Sequence, residues 1–181
     1  MRIAVLVGNP RPGSRTLQVA DAVADVLEAR LGPTDRLVID LASVARDMFD
    51  WPSPVMTELT EQVADSDLLV VASPTYKGSY TGLLKAFLDR LPNNGLAGVC
   101  AVHLLTGVHP QHAMATEVHL RPLLTELGCA TPTRGLYFLM SQMADLVGVV
   151  DRWADENAEG IEMIGAALAE TDPEPVPDWD R

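Results

Sequence analysis

The sequence predicts a single α/β domain, a three-layer sandwich in which helices cover both faces of a parallel sheet. Three observations carry that expectation. Strand-like and helix-like patterns alternate from end to end of the 181 residues, the arrangement that βαβ units require. The run Leu68-Leu-Val-Val-Ala72 is apolar throughout, as a strand covered on both faces must be. A chain of this length with 48% hydrophobic residues can build one substantial core, and it shows no internal repeat or second domain.

The elements follow in order. Residues 2–7 form a short β-rich run that ends at Gly8 and reads as a buried strand. Residues 16–31 place Leu17, Val19, Ala20, Val23, Ala24, Val26, Leu27 and Leu31 at helical spacing, and Gly32-Pro33 ends the pattern. Residues 36–40 hold Leu37, Val38 and Ile39 and form the second strand; residues 41–53 are irregular, and 57–64 read as a short helix. The third strand, 68–72, is followed by a helix over 81–91 that Pro92 stops. Residues 98–105 make a fourth strand, 112–127 a helix in which Pro122 should introduce a kink, and 136–139 a short fifth strand. A long helix is expected over 146–169. The remaining residues, 170–181, are rich in proline and acid and read as a disordered tail in which Trp179 is incidental.

Charge narrows the range of partners. Thirteen basic against 25 acidic residues, a net charge of −12, disfavour nucleic acid or an anionic membrane as the main partner. No apolar run reaches transmembrane length, and Met1-Arg2 enters the first strand without a signal-peptide pattern, so a cytoplasmic location is expected. Cys100 and Cys129 are not part of a C-x-x-C pair and read as small buried apolar residues.

The stretch Gly8-Asn-Pro-Arg-Pro-Gly-Ser-Arg-Thr16 links the first strand directly to the first helix. Glycines permit the tight turn, Ser14 and Thr16 offer hydroxyls, and the first helical amides face the loop without partners, so an anion fits there. Arg2, Arg11 and Arg15 all precede the first acid, Asp21, and mark a local basic island. A triphosphate loop needs lysine after its second glycine, where Ser14 stands, and no G-x-G-x-x-G follows this strand. A monophosphate site is what remains.

Ligands of open parallel sheets sit beyond the carboxyl ends of the strands, so the loop after strand 3 should face the same pocket. That loop, Ser73-Pro-Thr-Tyr-Lys-Gly-Ser-Tyr-Thr-Gly82, offers a proline to fix the backbone, peptide groups for a heterocycle edge, and Tyr76 to lie against a flat ring. The histidines point elsewhere. His112 and His119 can share a helix face, but with His109 they lack further ligands at zinc-like spacing, so no metal is expected. His103 reads as a satisfied core histidine, Lys85 as a solvated helix residue, and Asp89 and Arg90 as a solvated helix end.

The two loops together, Gly8-x-Pro-Arg-x-x-Ser-Arg15 and Ser73 through Lys85, resemble those of the NAD(P)H-dependent FMN reductases, especially the ones that supply reduced flavin to two-component alkanesulfonate monooxygenases. The likeness covers about residues 2–145. It implies a flavodoxin-like fold with a five-stranded parallel sheet of order 2-1-3-4-5. It also implies FMN as cofactor, NADPH or NADH as electron donor, and a homodimer or tetramer. By the same resemblance Arg11, Ser14, Arg15 and Thr16 hold the phosphate, with Asn9 and Gly13 in the same loop. Pro74, Thr75, Tyr76 and Ser79 face the isoalloxazine, with Lys77 and Gly78 between them and Lys77 near a nicotinamide phosphate. Thr106 and Gly107 form the third flavin loop, whose backbone donors favour the reduced ring. No catalytic acid or base is implied, because hydride passes between cofactors and the protein orients them.

The chain departs from that pattern in three places. Asn9 stands for the usual serine, Val108 for a second glycine, and Val118 and His119 where the alkanesulfonate-type enzymes carry an inserted tyrosine. Two other readings stand beside the reductase: an FMN-containing quinone or azo-compound reductase, and a flavodoxin-like electron carrier. Tyr76 and Tyr80 are the only aromatics near the strand 3 loop, few for the closed aromatic walls of a carrier.

Overall fold

The computed structural model describes residues 1–171. Its element order is β1 (Arg2–Val7), α1 (Arg15–Leu31), β2 (Asp35–Asp40), α2 (Pro54–Ala64), β3 (Leu68–Pro74), α3 (Gly82–Leu88), β4 (Cys100–Gly107), α4 (Arg121–Glu126), β5 (Leu136–Leu139), α5 (Leu146–Glu156) and α6 (Ala158–Thr171). The five strands pair in parallel in the order β2-β1-β3-β4-β5, the doubly wound flavodoxin-like order expected.

Alternation along the central strands divides the core in two. Val5, Val7, Val70, Val102 and Leu104 face one side, under α1, α5 and α6. Ala4, Leu6, Leu69, Val71 and Leu105 face the other, under α2, α3 and α4. Both layers are shut to solvent, which explains why β3 and β4 carry no alternating polar face. Cys100 and Cys129 are buried among these apolar side chains, and burial pushes the Cys129 thiol up to about 12, with a smaller contribution from Cys100.

Several expectations change on the way from pattern to structure. α2 begins at Pro54, three residues ahead of the expected start, because Ser53 caps it, its Oγ accepting from Met56 N at 3.3 Å. The region expected as one helix over 112–127 is composite: a 3₁₀ turn at Pro110–His112, a π-helical turn at Thr116–Leu120, then α4. Pro122 has no N–H for the ladder, and a widened π-helical turn stands just before it.

The long helix expected over 146–169 is two helices broken at Asn157. Its Oδ1 accepts Arg134 N at 2.7 Å while its Nδ2 donates to Trp153 O at 2.7 Å, so the side chain competes with the helical ladder. Arg90 is no solvated helix end. It donates to Met48 O at 2.9 Å and Asp50 O at 3.2 Å and stacks over Trp51 at 4.1 Å, pinning the loop before α2. The tail expected to be disordered lies outside the described residues from 172 onward, and Trp179 with it. Among the described residues no helix is long and apolar enough to cross a membrane.

Candidate functional site

A cavity of about 400 Å³ opens at the carboxyl ends of β1, β3 and β4, where the strand order reverses. Its wall brings together Asn9, Arg11, Gly13, Ser14, Arg15 and Thr16 from the first loop, Pro74, Thr75 and Tyr76 from the second, and Thr106 and Gly107 from the third.

The first loop is built by its own side chains. Ser14 caps α1, its Oγ accepting from Leu17 N at 3.2 Å, and its carbonyl takes Gln18 N. The amides of Arg15 and Thr16 therefore stay unpaired at the helix start, in a cavity wall that also holds Arg11. Asn9 Oδ1 accepts Arg11 N at 3.0 Å and so folds the loop back on itself. Gly13, at φ +61°, takes a left-handed turn that a side chain would strain, and its N–H donates to the Asp40 carboxylate at 2.9 Å.

Thr16 behaves differently from the expectation of a phosphate-facing hydroxyl. It is 2% exposed; its Oγ1 accepts from Asn9 Nδ2 at 3.0 Å and pairs with Thr106 Oγ1 at 2.9 Å. The hydroxyl thus ties the first loop to the third, while Thr16 still lines the cavity. Arg2 also leaves the expected basic island, because it begins β1 at the opposite end of the sheet.

The second loop is fastened at its base and free at its tip. Thr81 Oγ1 donates to Gly8 O and accepts from Leu84 N, capping α3 against the first loop. Thr75 N donates to Thr106 O at 2.7 Å. Tyr76 and Ser79 exchange backbone bonds across Lys77 and Gly78, both at positive φ, which is a two-residue hairpin turn. The turn carries Lys77, Gly78 and Ser79 away from the cavity wall. Thr75 lines the cavity, and its Oγ1 is buried with no protein partner.

In the third loop, Gly107 has no room for a side chain: a Cβ there would stand 1.9 Å from Tyr137 Oη, which donates to His109 O. Sequence reasoning missed four groups. Pro12, Val108 and Met140 complete the wall, and Asp40 braces it from behind. Met140 follows β5, whose loop gave no motif, and Asp40 is signalled only by its place at the end of β2.

His103 is buried as expected but not satisfied. Neither ring nitrogen has a hydrogen-bond partner, and the Glu117 carboxylate lies 3.7 Å from Nε2. Burial, reinforced by the Arg121 charge, lowers its pKa to about 4 against the opposing pull of Glu117. Glu117 is held by Arg121 Nε at 2.5 Å and by Gly135 N at 2.7 Å, so the pair ties the π-helical turn to the chain entering β5. Among the described residues no group of His, Cys, Asp and Glu is placed to hold a metal ion.

Comparison with known proteins places these loops in context. Residues 1–144 match the family model described as NADPH-dependent FMN reductase. An NADH-dependent FMN reductase, SfnF, of Pseudomonas fluorescens is 31% identical over 80% of each chain. An FMN reductase (NADPH) of Escherichia coli is 33% identical, over 80% of this chain and 76% of its own. Among solved structures, the apo form of the NADH:FMN oxidoreductase EMOB superposes with a TM-score of 0.79 at 31% identity, covering 92% of this chain and 89% of that one.

Proposed function

The chain belongs to the NADPH-dependent FMN reductase family, and from that membership we propose that it releases its reduced flavin to a flavin-dependent monooxygenase instead of keeping it as a fixed prosthetic group. It is an NAD(P)H:flavin oxidoreductase that uses FMN with NADH or NADPH as electron donor. When bound, FMN supplies the redox chemistry by accepting hydride from the nicotinamide. Everything else asked of the protein is binding, orientation and exclusion of competing contacts.

The donor set fits the cofactor. Arg11, Arg15, the Ser14 hydroxyl and the free amides of Arg15 and Thr16 suit a phosphate monoester. The orphaned Thr75 Oγ1 suits a polar edge of the isoalloxazine, Pro74 fixes the backbone beside it, and Tyr76 offers a flat face. We assign Thr106 and Gly107 to the same ring edge. Lys77, Gly78 and Ser79, at the turn tip, are better suited to the incoming nicotinamide nucleotide than to FMN itself.

The observation that carries release is exposure at the ring end. Tyr76 is 50% exposed and Val108 is 70% exposed, so the wall that would clamp a ring from both sides is absent from the described residues. An open ring face admits nicotinamide and lets the product leave. Free reduced flavin is consumed by oxygen, so a released product calls for an acceptor enzyme that takes it up directly, and the cytoplasm, with its nicotinamide pool, is the setting we assign. Exposed Met114 and Val118 on the chain after β4 support a homodimer or tetramer.

The test is aerobic NADPH and NADH oxidation by flavin-stripped protein with FMN in excess. Turnover that rises hyperbolically with free FMN is the expected result. Activity that saturates at one FMN per subunit and then requires a quinone or azo dye would overturn release and favour a bound-flavin reductase.

A further inference from the structure

We infer that Asp40 is a positioning residue of the phosphate loop that limits how tightly the loop holds a phosphate dianion, a role that rests on the flavin reductase reading above. Asp40 ends β2 and is paired in register with Val7, the last residue of β1, so its carboxylate reaches the back of the loop that follows Val7. Its Oδ2 accepts Gly13 N at 2.9 Å and its Oδ1 accepts Ala42 N at 3.3 Å. Gly13 lies in the cavity wall with φ +61°, the conformation in which its amide turns away from the anion seat and toward β2.

Two consequences follow from one contact. The loop loses a donor, because the Gly13 N–H that could join the Arg15 and Thr16 amides is already taken. It also gains a fixed negative charge one hydrogen bond behind the anion seat, opposing Arg11 and Arg15. The brace itself is a charge-assisted hydrogen bond and keeps the loop formed without ligand. A preformed seat with an opposing charge behind it favours a phosphate that arrives readily and leaves readily, which is what an exchanging flavin needs.

An amide in place of the carboxylate separates charge from brace. In Asp40→Asn the side-chain oxygen can still accept from Gly13 at the expense of the longer Ala42 contact, and the charge is gone. The measurement is the dissociation constant of FMN and of riboflavin, which lacks the phosphate, by fluorescence quenching for wild type and D40N at about 50 mM and about 500 mM salt. The expected result is FMN bound about fivefold tighter by D40N at low salt, with the gain shrinking at high salt and riboflavin unchanged. Equal FMN constants, weaker FMN binding by D40N, or equal shifts for both flavins would overturn the role. Binding of neither flavin by the wild type would instead overturn the reductase reading. Should D40N fail the circular dichroism check for folding, Asp40→Ser, too short to reach Gly13 N, removes charge and brace together, and weaker or equal FMN binding by it overturns the role in the same way.

Discussion

The two ends of the cavity are made in opposite ways. At the phosphate end the loop is braced by its own side chains: Asn9 bonds Arg11 N and Thr16, Thr16 bonds Thr106, and Gly13 bonds Asp40, which leaves the Arg15 and Thr16 amides for a ligand. At the ring end the loops are fastened only at their roots, by Thr81 on Gly8 and Thr75 on Thr106, and then run out to an exposed Tyr76 and Val108 and an unpaired Thr75 hydroxyl. Order without ligand at one end and open surface at the other divide the work. The closed end fixes where the flavin sits, and the open end decides what may approach it and when it goes.

If that division holds, damage at the closed end should appear as lost stability and damage at the open end as lost binding. Gly8 gives the largest effect. A Cβ there would stand 2.4 Å from Leu84 Cβ and 3.1 Å from Leu84 Cα, where α3 crosses the first loop. Gly8→Ala should cost about 3 kcal/mol in urea denaturation, because the backbone of α3 cannot give way as a surface side chain could. Thr16→Val comes next. Nearly isosteric, it leaves Asn9 Nδ2 and Thr106 Oγ1 buried without their partner, and about 2 kcal/mol of stability should go with them. An unchanged denaturation midpoint in T16V would mean that water has replaced the hydroxyl and that the closed end is wetter than its burial implies.

Much of this was legible in the sequence, and what was not has a common physical origin. Strand positions came through because burial on both faces imprints a continuous apolar run that needs no knowledge of partners, as in Leu68 to Ala72. The loops came through because glycine, proline and helix-cap chemistry act within a few residues. The failures involve bonds over long sequence separation. Asn157 breaks a helix by accepting from Arg134, Arg90 leaves solvent to hold Met48 and Asp50, and Asp40 reaches Gly13 across 27 residues. None of these contacts alters local periodicity. Thr16 shows the same limit inside a motif, since a hydroxyl at a helix start serves a ligand or a neighbouring strand equally well until β4, 90 residues on, is in place.

The open end is tested by Tyr76. With its ring half in solvent and its backbone bonds to Ser79 independent of the side chain, Tyr76→Ala should leave stability within about 0.5 kcal/mol of wild type. Flavin binding should weaken about tenfold, for riboflavin and FMN alike, since the lost contact is with the ring and not the phosphate. Isothermal titration with both flavins checks this. A loss confined to FMN would place Tyr76 at the wrong end of the cavity.

At pH 7 His103 gives the smallest effect, and it gives the sharpest contrast because it lies in β4 three residues before Thr106 and belongs to neither end. Both its nitrogens are unpaired, so the imidazole adds packing to the sheet and no hydrogen bond. In the unfolded chain an ordinary imidazole takes up its proton near pH 6.5, whereas the buried ring waits until about 4. Between those values the unfolded state binds more protons, so stability is fully present above about pH 6.5 and declines as the pH falls toward about 4, by at most about 1.4 kcal/mol per pH unit. His103→Leu keeps similar bulk and leaves Glu117 with Arg121 and Gly135 N, so no new charge is stranded. It should raise stability at pH 7 by about 1 kcal/mol and flatten this part of the acid limb, with flavin binding unchanged. Urea titrations of both proteins at pH 7, 6 and 5 measure the difference. A steep acid limb that survives in H103L would assign the loss to carboxylates, with the Glu117–Arg121 pair the first to examine, since Glu117 is held below its ordinary value chiefly by the Arg121 hydrogen bond acting against burial.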